Sequence, residues 1–116
     1  MAHINKLGPY SLSLGGSLDA AVTPLTGLGL EVVFINENLT KLQGIRVTSG
    51  SSGTTTIELE VNGTASGDTL SWLSTDADNT LKTATISLAL SIGDRLTFRV
   101  NSVEVGAEDI HLQVSN

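Results

Sequence analysis

The sequence predicts an all-β fold: a single-domain antiparallel β-sandwich of about eight strands. Short stretches alternate apolar and polar residues with a period of two, and clusters of Gly, Ser, Thr, Asn and Asp separate them. No stretch sustains a helical period. At 116 residues the chain has the length of one domain. We divide it into an N-terminal arm at 1–9 and a sandwich domain at 10–116.

The first third of the chain predicts three extended segments. Residues 10–14 alternate apolar side chains with serine and end at a glycine pair, and residues 20–23 form a brief second segment that Pro24 stops. The third segment, at 28–35, is apolar on much of both faces. Such a strand is either central and covered on both sides, or it is covered by a neighbouring subunit.

The middle of the chain predicts three further strands, the first of them at 42–49. The clearest lies at 57–61, where apolar residues alternate with Glu58 and Glu60, whose carboxylates we expect to point into solvent. An Asn-Gly pair follows directly and predicts a tight hairpin turn. A weaker strand is predicted at 69–74.

The last third predicts strands at 81–90, 95–102 and 110–114, each with leucine, isoleucine, valine or phenylalanine at alternate positions. Aromatic residues make up only 3% of the chain. We therefore expect a thin aliphatic core between two sheets about 10 Å apart.

Composition excludes several classes of partner and chemistry. The chain has twelve acidic and six basic residues, and the basic residues are scattered singly along the sequence. This distribution argues against nucleic-acid binding. No apolar run approaches the roughly 20 residues of a membrane helix, and the N-terminus lacks the pattern of a secretory signal. We expect no membrane partner and synthesis in a cytoplasm. The chain has no cysteine, which excludes disulfides and thiolate chemistry.

One loop offers a candidate metal site. Asp76, Asp78 and Asn79 place two carboxylates and an amide within a few residues, and oxygen atoms are the ligands that calcium prefers. The loop lacks the glycine and the distal glutamate of an EF-hand. The alternative is an Asx-rich turn exposed to solvent. We favour the turn and expect neither a metal nor a cofactor.

Other polar residues are candidates for catalytic or binding groups. Asp109 and His111 share the outward face of the last strand, and Glu58 and Glu60 share another face, but no serine lies in a nucleophile-elbow context. Trp72, the one tryptophan, is either a platform for a sugar or an apolar partner in the core or at a subunit boundary. We expect solvated polar pairs, a packed tryptophan and no enzyme activity.

Part of the chain resembles a known class of module. The segments GIRV at 44–47, IELEVNGT at 57–64, LSIGDRL at 90–96 and VEVGAEDI at 103–110 resemble small β-sandwich modules in virion proteins of tailed bacteriophages. The resemblance implies a jelly roll that trimerises. Such modules occur as capsid decoration (cement) proteins, head fibres and tail appendages.

The resemblance implies a structural virion protein, a decoration protein that binds the outside of a phage head as a homotrimer and stabilises it. Its partners would be further copies of itself and the major capsid protein. The alternative is a carbohydrate- or receptor-binding module of a phage fibre or tail appendage. Residues expected at the contacts are Leu28, Leu30, Val33 and Ile35 in the strand and Ile4, Leu7 and Pro9 in the arm.

Overall fold

The computed structural model describes residues 10–18 and 23–116, and within them the backbone forms eight strands and no helix. The strands are β1 (Tyr10–Ser17), β2 (Leu25–Val32), β3 (Glu37–Thr48), β4 (Thr54–Val61), β5 (Thr64–Leu73), β6 (Thr80–Leu90), β7 (Arg95–Ser102) and β8 (Glu108–Ser115). Residues 10–18 and 23–116 accordingly contain no helix long and apolar enough to cross a membrane.

The strands form two four-stranded antiparallel sheets. Sheet A has the order β1-β8-β3-β6, and sheet B has the order β2-β7-β4-β5. Each sheet therefore pairs strands that are distant in sequence. The predicted all-β sandwich is confirmed. We call the end with the loops at 49–53, 74–79 and 103–107 the upper end, and the end with the turns at 33–36, 62–63 and 91–94 the lower end.

The core forms because the alternating apolar positions of both sheets point towards each other. Its fully buried members include the following residues of the two sheets: Leu12, Leu39, Leu42, Ile110 and Val114 from sheet A, and Ile57, Leu59, Trp72, Leu96 and Phe98 from sheet B. The aliphatic side chains fill most of this layer. Each such side chain contributes about 1.5–3 kcal/mol when it leaves water.

Trp72 is a core residue, which decides between the two sequence interpretations. Its side chain is fully buried, and its Nε1 donates a hydrogen bond to the carbonyl of Thr80 at 2.8 Å. Gly44 on the facing sheet makes room for the indole: a Cβ there would lie 2.9 Å from Trp72 and 2.8 Å from Leu112. The same contact shows that position 44 faces inward, so its neighbours on β3 face outward.

The hairpin predicted at the Asn-Gly pair is confirmed. Asn62 and Gly63 both have positive φ, 53° and 82°, as the tight hairpin turn between β4 and β5 requires. The segment predicted at 20–23 lies, apart from Thr23, outside the described residues. Strand β5 is longer than predicted, because it begins directly after the turn.

The prediction that both glutamates of β4 point into solvent is wrong for Glu60. Its side chain is nearly fully buried, and one carboxylate oxygen accepts hydrogen bonds from the backbone of Gly27 and the hydroxyl of Thr97, both at 3.0 Å. Strand β2 departs from regular register near Gly27, and this irregular segment reaches the carboxylate. The sequence pattern of β4 contains no sign of that contact.

The third predicted strand is an edge strand among the described residues, since β2 pairs there with β7 alone and ends at Val32. The expectation that Val33 lies at a subunit contact is corrected. Its N–H and C=O bond to the backbone of Asp94 and Gly93, and its side chain is fully buried. Leu28 packs partly buried against the core, Ile35 is half-buried, and Leu30 is exposed. Ile4, Leu7 and Pro9 lie outside the described residues.

Candidate binding surface

The upper end is organised around a buried ion pair that the sequence did not reveal. Arg46 Nη1 lies 2.6 Å from Glu104 Oε1, and both side chains are fully buried. The guanidinium also donates to the carbonyls of Leu73, Asp76 and Ala77 at 2.8–3.0 Å. The arginine thus binds one carbonyl at the end of β5 and two carbonyls of the loop at 74–79.

The two carboxylates of the predicted metal loop are also used within the protein. Asp76 Oδ2 accepts a hydrogen bond from the N–H of Leu73 at 2.9 Å and lies 3.1 Å from Lys82 Nζ. Asp78 Oδ1 accepts from the backbone and the hydroxyl of Ser49 at 2.8 and 2.6 Å. The bond from Leu73 lowers the pKa of Asp76, with help from Lys82, and the bonds from Ser49 lower the pKa of Asp78.

The third predicted ligand, Asn79, serves as a turn residue. It has a positive φ of 61°, and its N–H donates to the carbonyls of Arg46 and Val47 at 3.1 Å. Among residues 10–18 and 23–116, no three acidic or histidine side chains group as metal ligands would. The loop at 74–79 is held as a turn by these hydrogen bonds.

The outer face of sheet A brings together polar side chains from all four strands. In register order across β1, β8, β3 and β6, one row, which we call the amide row, consists of Ser11, Gln113, Gln43 and Thr83. The neighbouring row, which we call the imidazole row, consists of Ser13, His111, Ile45 and Leu81. Adjacent strands are about 4.8 Å apart, so each row spans roughly 14 Å.

A shallow concavity of about 270 Å³ lies where the two rows cross β8, β3 and β6. Its lining consists of Gln43, Gly44, Ile45, Leu81, His111 and Gln113. Leu81 is 54% exposed, although it is a large apolar side chain. The concavity thus combines aliphatic surface with two primary amides and an imidazole, which is the composition of a small-ligand site.

The polar groups of the amide row are open to a ligand. The contact within the row joins Gln43 Nε2 and Thr83 Oγ1 at 3.5 Å, which is the outer limit of a hydrogen bond. Ser11, Thr83 and Gln113 are exposed and Gln43 is half-buried. Each glutamine therefore keeps donors and acceptors for a molecule in solution.

The outer face of sheet B differs, because its polar groups bond to one another. Glu58 accepts from Asn101 Nδ2 at 3.0 Å and from the N–H of Gly67 at 2.8 Å. The hydroxyls of Thr56 and Ser71 lie 2.9 Å apart. This face is satisfied internally, so the outer face of sheet A is the better candidate for binding.

The predicted pair of Asp109 and His111 is divided between two environments. Asp109 has a positive φ of 58°, and its Oδ1 accepts from the N–H of Gly16 at 2.5 Å. His111 is exposed and lines the concavity. The carboxylate therefore holds the end of β1, and the imidazole belongs to the candidate surface.

Sequence reasoning missed the glutamines of the candidate surface. Gln43 and Gln113 stand alone in their strands and form no motif. They meet because β3 and β8 pair with Gln43 directly opposite Gln113. Strand alternation shows that each faces outward, but only the register shows that they are neighbours.

A second exposed surface lies near the lower end, at the edge strand β2. Its large apolar side chains are Leu30 (61% exposed), Val32 (37%), Phe34 (74%) and Ile92 (64%). The N–H of Gly93 bonds to the carbonyl of Val33 at 2.8 Å, which places the turn at 91–94 beside the end of β2. We call these four residues the apolar end patch.

Comparison with known proteins gives the fold. No family model and no curated protein matches the sequence. A family 35 carbohydrate-binding module from Clostridium thermocellum is similar in structure, with a TM-score of 0.51, 13% identity and coverage of 92% of this chain and 95% of that one. A family 35 module of Abf62 from Cellvibrio japonicus has a TM-score of 0.51 and 23% identity, covering 94% and 89%.

A third similar structure, a family 35 module from an environmental isolate, has a TM-score of 0.50 and 16% identity and covers 97% of this chain and 90% of that one. These likenesses show an eight-stranded antiparallel sandwich of jelly-roll type. They contain no link to phage virion proteins.

Proposed function

We propose that this protein is a non-catalytic carbohydrate-binding module whose ligand lies on the outer face of sheet A. The open amide row beside the aliphatic surface of Ile45 and Leu81 carries the proposal. A sugar hydroxyl both donates and accepts hydrogen bonds, as does a glutamine amide. The C–H face of a sugar ring packs on aliphatic side chains. The likeness to carbohydrate-binding modules supports the same function.

The positions of three aromatic residues predict a sugar site without an aromatic stacking platform. Trp72 and Phe98 are fully buried, and the hydroxyl of Tyr10 donates to Glu37 at 2.5 Å. Burial, with the nearby Glu37 carboxylate, raises the pKa of Tyr10. None of these three rings forms a stacking platform on sheet A. We therefore expect weaker binding than at a site that stacks an aromatic ring on the sugar.

A glycan array followed by titration calorimetry on the best ligand tests the proposal. The double variant Gln43→Ala/Gln113→Ala should weaken binding about tenfold or more, because at least two hydrogen bonds are lost. The matched control is Thr56→Ala/Ser71→Ala, which removes two neutral polar side chains from the outer face of sheet B. Absence of binding to every glycan, or equal losses in the variant and the control, would contradict the proposal.

A second candidate function, a virion decoration protein, is favoured by the apolar end patch. Monomeric soluble proteins rarely expose large contiguous apolar patches, and such patches often mark protein interfaces. Under this proposal Leu30 and Phe34 contribute to a homotrimer that binds the major capsid protein on the outside of a phage head. Light scattering during size-exclusion chromatography tests it. A trimer that Phe34→Ser converts to a monomer is expected, and a wild-type chain that stays monomeric at micromolar concentration would exclude it.

A further inference from the structure

The amide row and the imidazole row run side by side across the four strands of sheet A, and we call the two rows together the track. The amide row continues from Thr83 on β6 to Ser11 on β1, and the imidazole row continues in parallel to Ser13. Each row spans roughly 14 Å, which exceeds the width of one sugar ring. A single monosaccharide would fill the concavity and leave the serines of β1 without a ligand.

The two ends of the track differ in polarity, so one end is favoured for the first sugar ring. Ile45 and Leu81 provide apolar surface at the side of β3 and β6, whereas the side of β1 offers the hydroxyls of Ser11 and Ser13. One sugar ring is best placed over the aliphatic side chains of β3 and β6, beside Gln43, which lies two residues before Ile45 on β3. Further rings then extend towards β1, where hydroxyl groups remain available for hydrogen bonds.

The charge distribution selects the class of sugar. Neither row contains a lysine, an arginine or a carboxylate, and the chain carries a formal net charge of −6. A uronic acid or sulfate group on this track would find no lysine or arginine in either row, and His111 would be its one titratable neighbour there, so the loss of hydration would be costly. Lys41 lies one row away, opposite Ser115 and Thr85, and is outside the track.

From these observations we infer that the ligand is a neutral oligosaccharide that lies across the four strands of sheet A, with one ring over Ile45 and Leu81 and the chain extending to β1. The inference rests on the proposed function and adds the charge, the length and the direction of the ligand. A ligand along the strands would instead meet Lys41.

Titration calorimetry with neutral oligosaccharides of one to five units, based on the best array ligand, tests length and charge. We expect the affinity to rise from the monosaccharide to about the trisaccharide, by about two- to tenfold for each hydrogen bond gained, and then to level off. The matched uronic-acid oligosaccharides should bind at least tenfold more weakly. Equal or tighter binding of the acidic series would overturn the neutral class, and an affinity independent of length would overturn the track.

The direction is tested by two matched double variants on the same face. Ser11→Ala/Ser13→Ala should weaken the longest neutral ligand about three- to tenfold and leave the monosaccharide unchanged, because these hydroxyls contact only the extended chain. Lys41→Ala/Thr85→Ala should change neither ligand. If the Lys41→Ala/Thr85→Ala variant weakens binding and the Ser11→Ala/Ser13→Ala variant does not, the sugar chain lies along the strands. If no sugar binds to the wild-type protein, the proposed function itself fails, which is distinguishable from all of these outcomes.

Discussion

The upper end of the sandwich and the outer face of sheet A are both polar, but their polar groups are used differently. At the upper end the Arg46 guanidinium bonds to Glu104 and to three carbonyls at the end of β5 and in the loop that follows it, so the loops are held from inside. On sheet A, Gln43 and Gln113 point outward with little bonding inside the protein. A polar cluster whose groups mostly bond within the chain stabilises the fold, whereas an open one is available for a ligand. The following experiments separate these two roles.

Glu104→Ala should have the largest effect on stability. It leaves the buried guanidinium of Arg46 without its counter-ion, and breaking a buried pair in this way costs about 3–5 kcal/mol of unfolding free energy. Urea unfolding measures the loss, and Glu108→Ala, an exposed acid at the start of β8, is the control. A loss below about 1 kcal/mol would show that the ion pair does not hold the upper end together.

Gly44→Ala should destabilise the sandwich by about 1–3 kcal/mol, because the added methyl group overpacks the core. Its Cβ would lie 2.8 Å from Leu112 and 2.9 Å from Trp72. Gly15→Ala is the matched control, since its Cβ would meet only Asp109 at an ordinary 3.7 Å. Thermal unfolding of the two variants should differ clearly. Equal melting temperatures would mean that the two sheets can separate locally at no cost.

Acid should weaken the upper end through Asp76 and Asp78. Hydrogen bonds hold the pKa of each below the usual 3.8 in the folded chain, so each stabilises the fold above about pH 3.8 and loses that contribution as the pH falls through its folded pKa. Unfolding free energies of wild type and Asp78→Asn, measured from pH 6 to pH 2, should differ most at pH 6 and converge in acid. A difference that grows in acid would reverse the sign of this linkage.

The smallest effect on stability is expected on the candidate surface. Gln43→Ala/Gln113→Ala should change the unfolding free energy by no more than about 0.5 kcal/mol, because these outward side chains hold little of the structure. The same double variant should bind its glycan more weakly than the wild-type chain does. A stability loss above about 1 kcal/mol would show that the amide row has a structural role.

The sequence predicted the strands more completely than it predicted the burial and contacts of individual surface residues. Alternation placed Leu59 and Phe98 in the core, and the Asn62-Gly63 pair marked its hairpin, because side-chain direction and turn geometry are set by neighbouring residues. It did not foresee the burial of Val33 and Glu60, which contacts from the turn at 91–94 and from β2 decide. Periodicity within one strand contains no information on such contacts.

The candidate site could not be predicted from the sequence, because it depends on contacts between strands. The metal hypothesis for Asp76 and Asp78 used residues that are close along the chain, and the structure binds them to Lys82 and Ser49. The expected contact at Leu28 and Leu30 also came from one strand alone. The amide row was not foreseen, because its members lie on four separate strands.

The sequence by itself determined the fold class, the inward and outward faces of most strands and the hairpin after β4, since these depend on local alternation and on φ preferences. Only the tertiary structure decided that Gln43 lies beside Gln113 and that Arg46 meets Glu104 in the core. These pairs depend on strand order and register, which are set by the packing of the whole core. One residue of slip would turn an outward glutamine inward, so the candidate surface exists only in the complete sandwich.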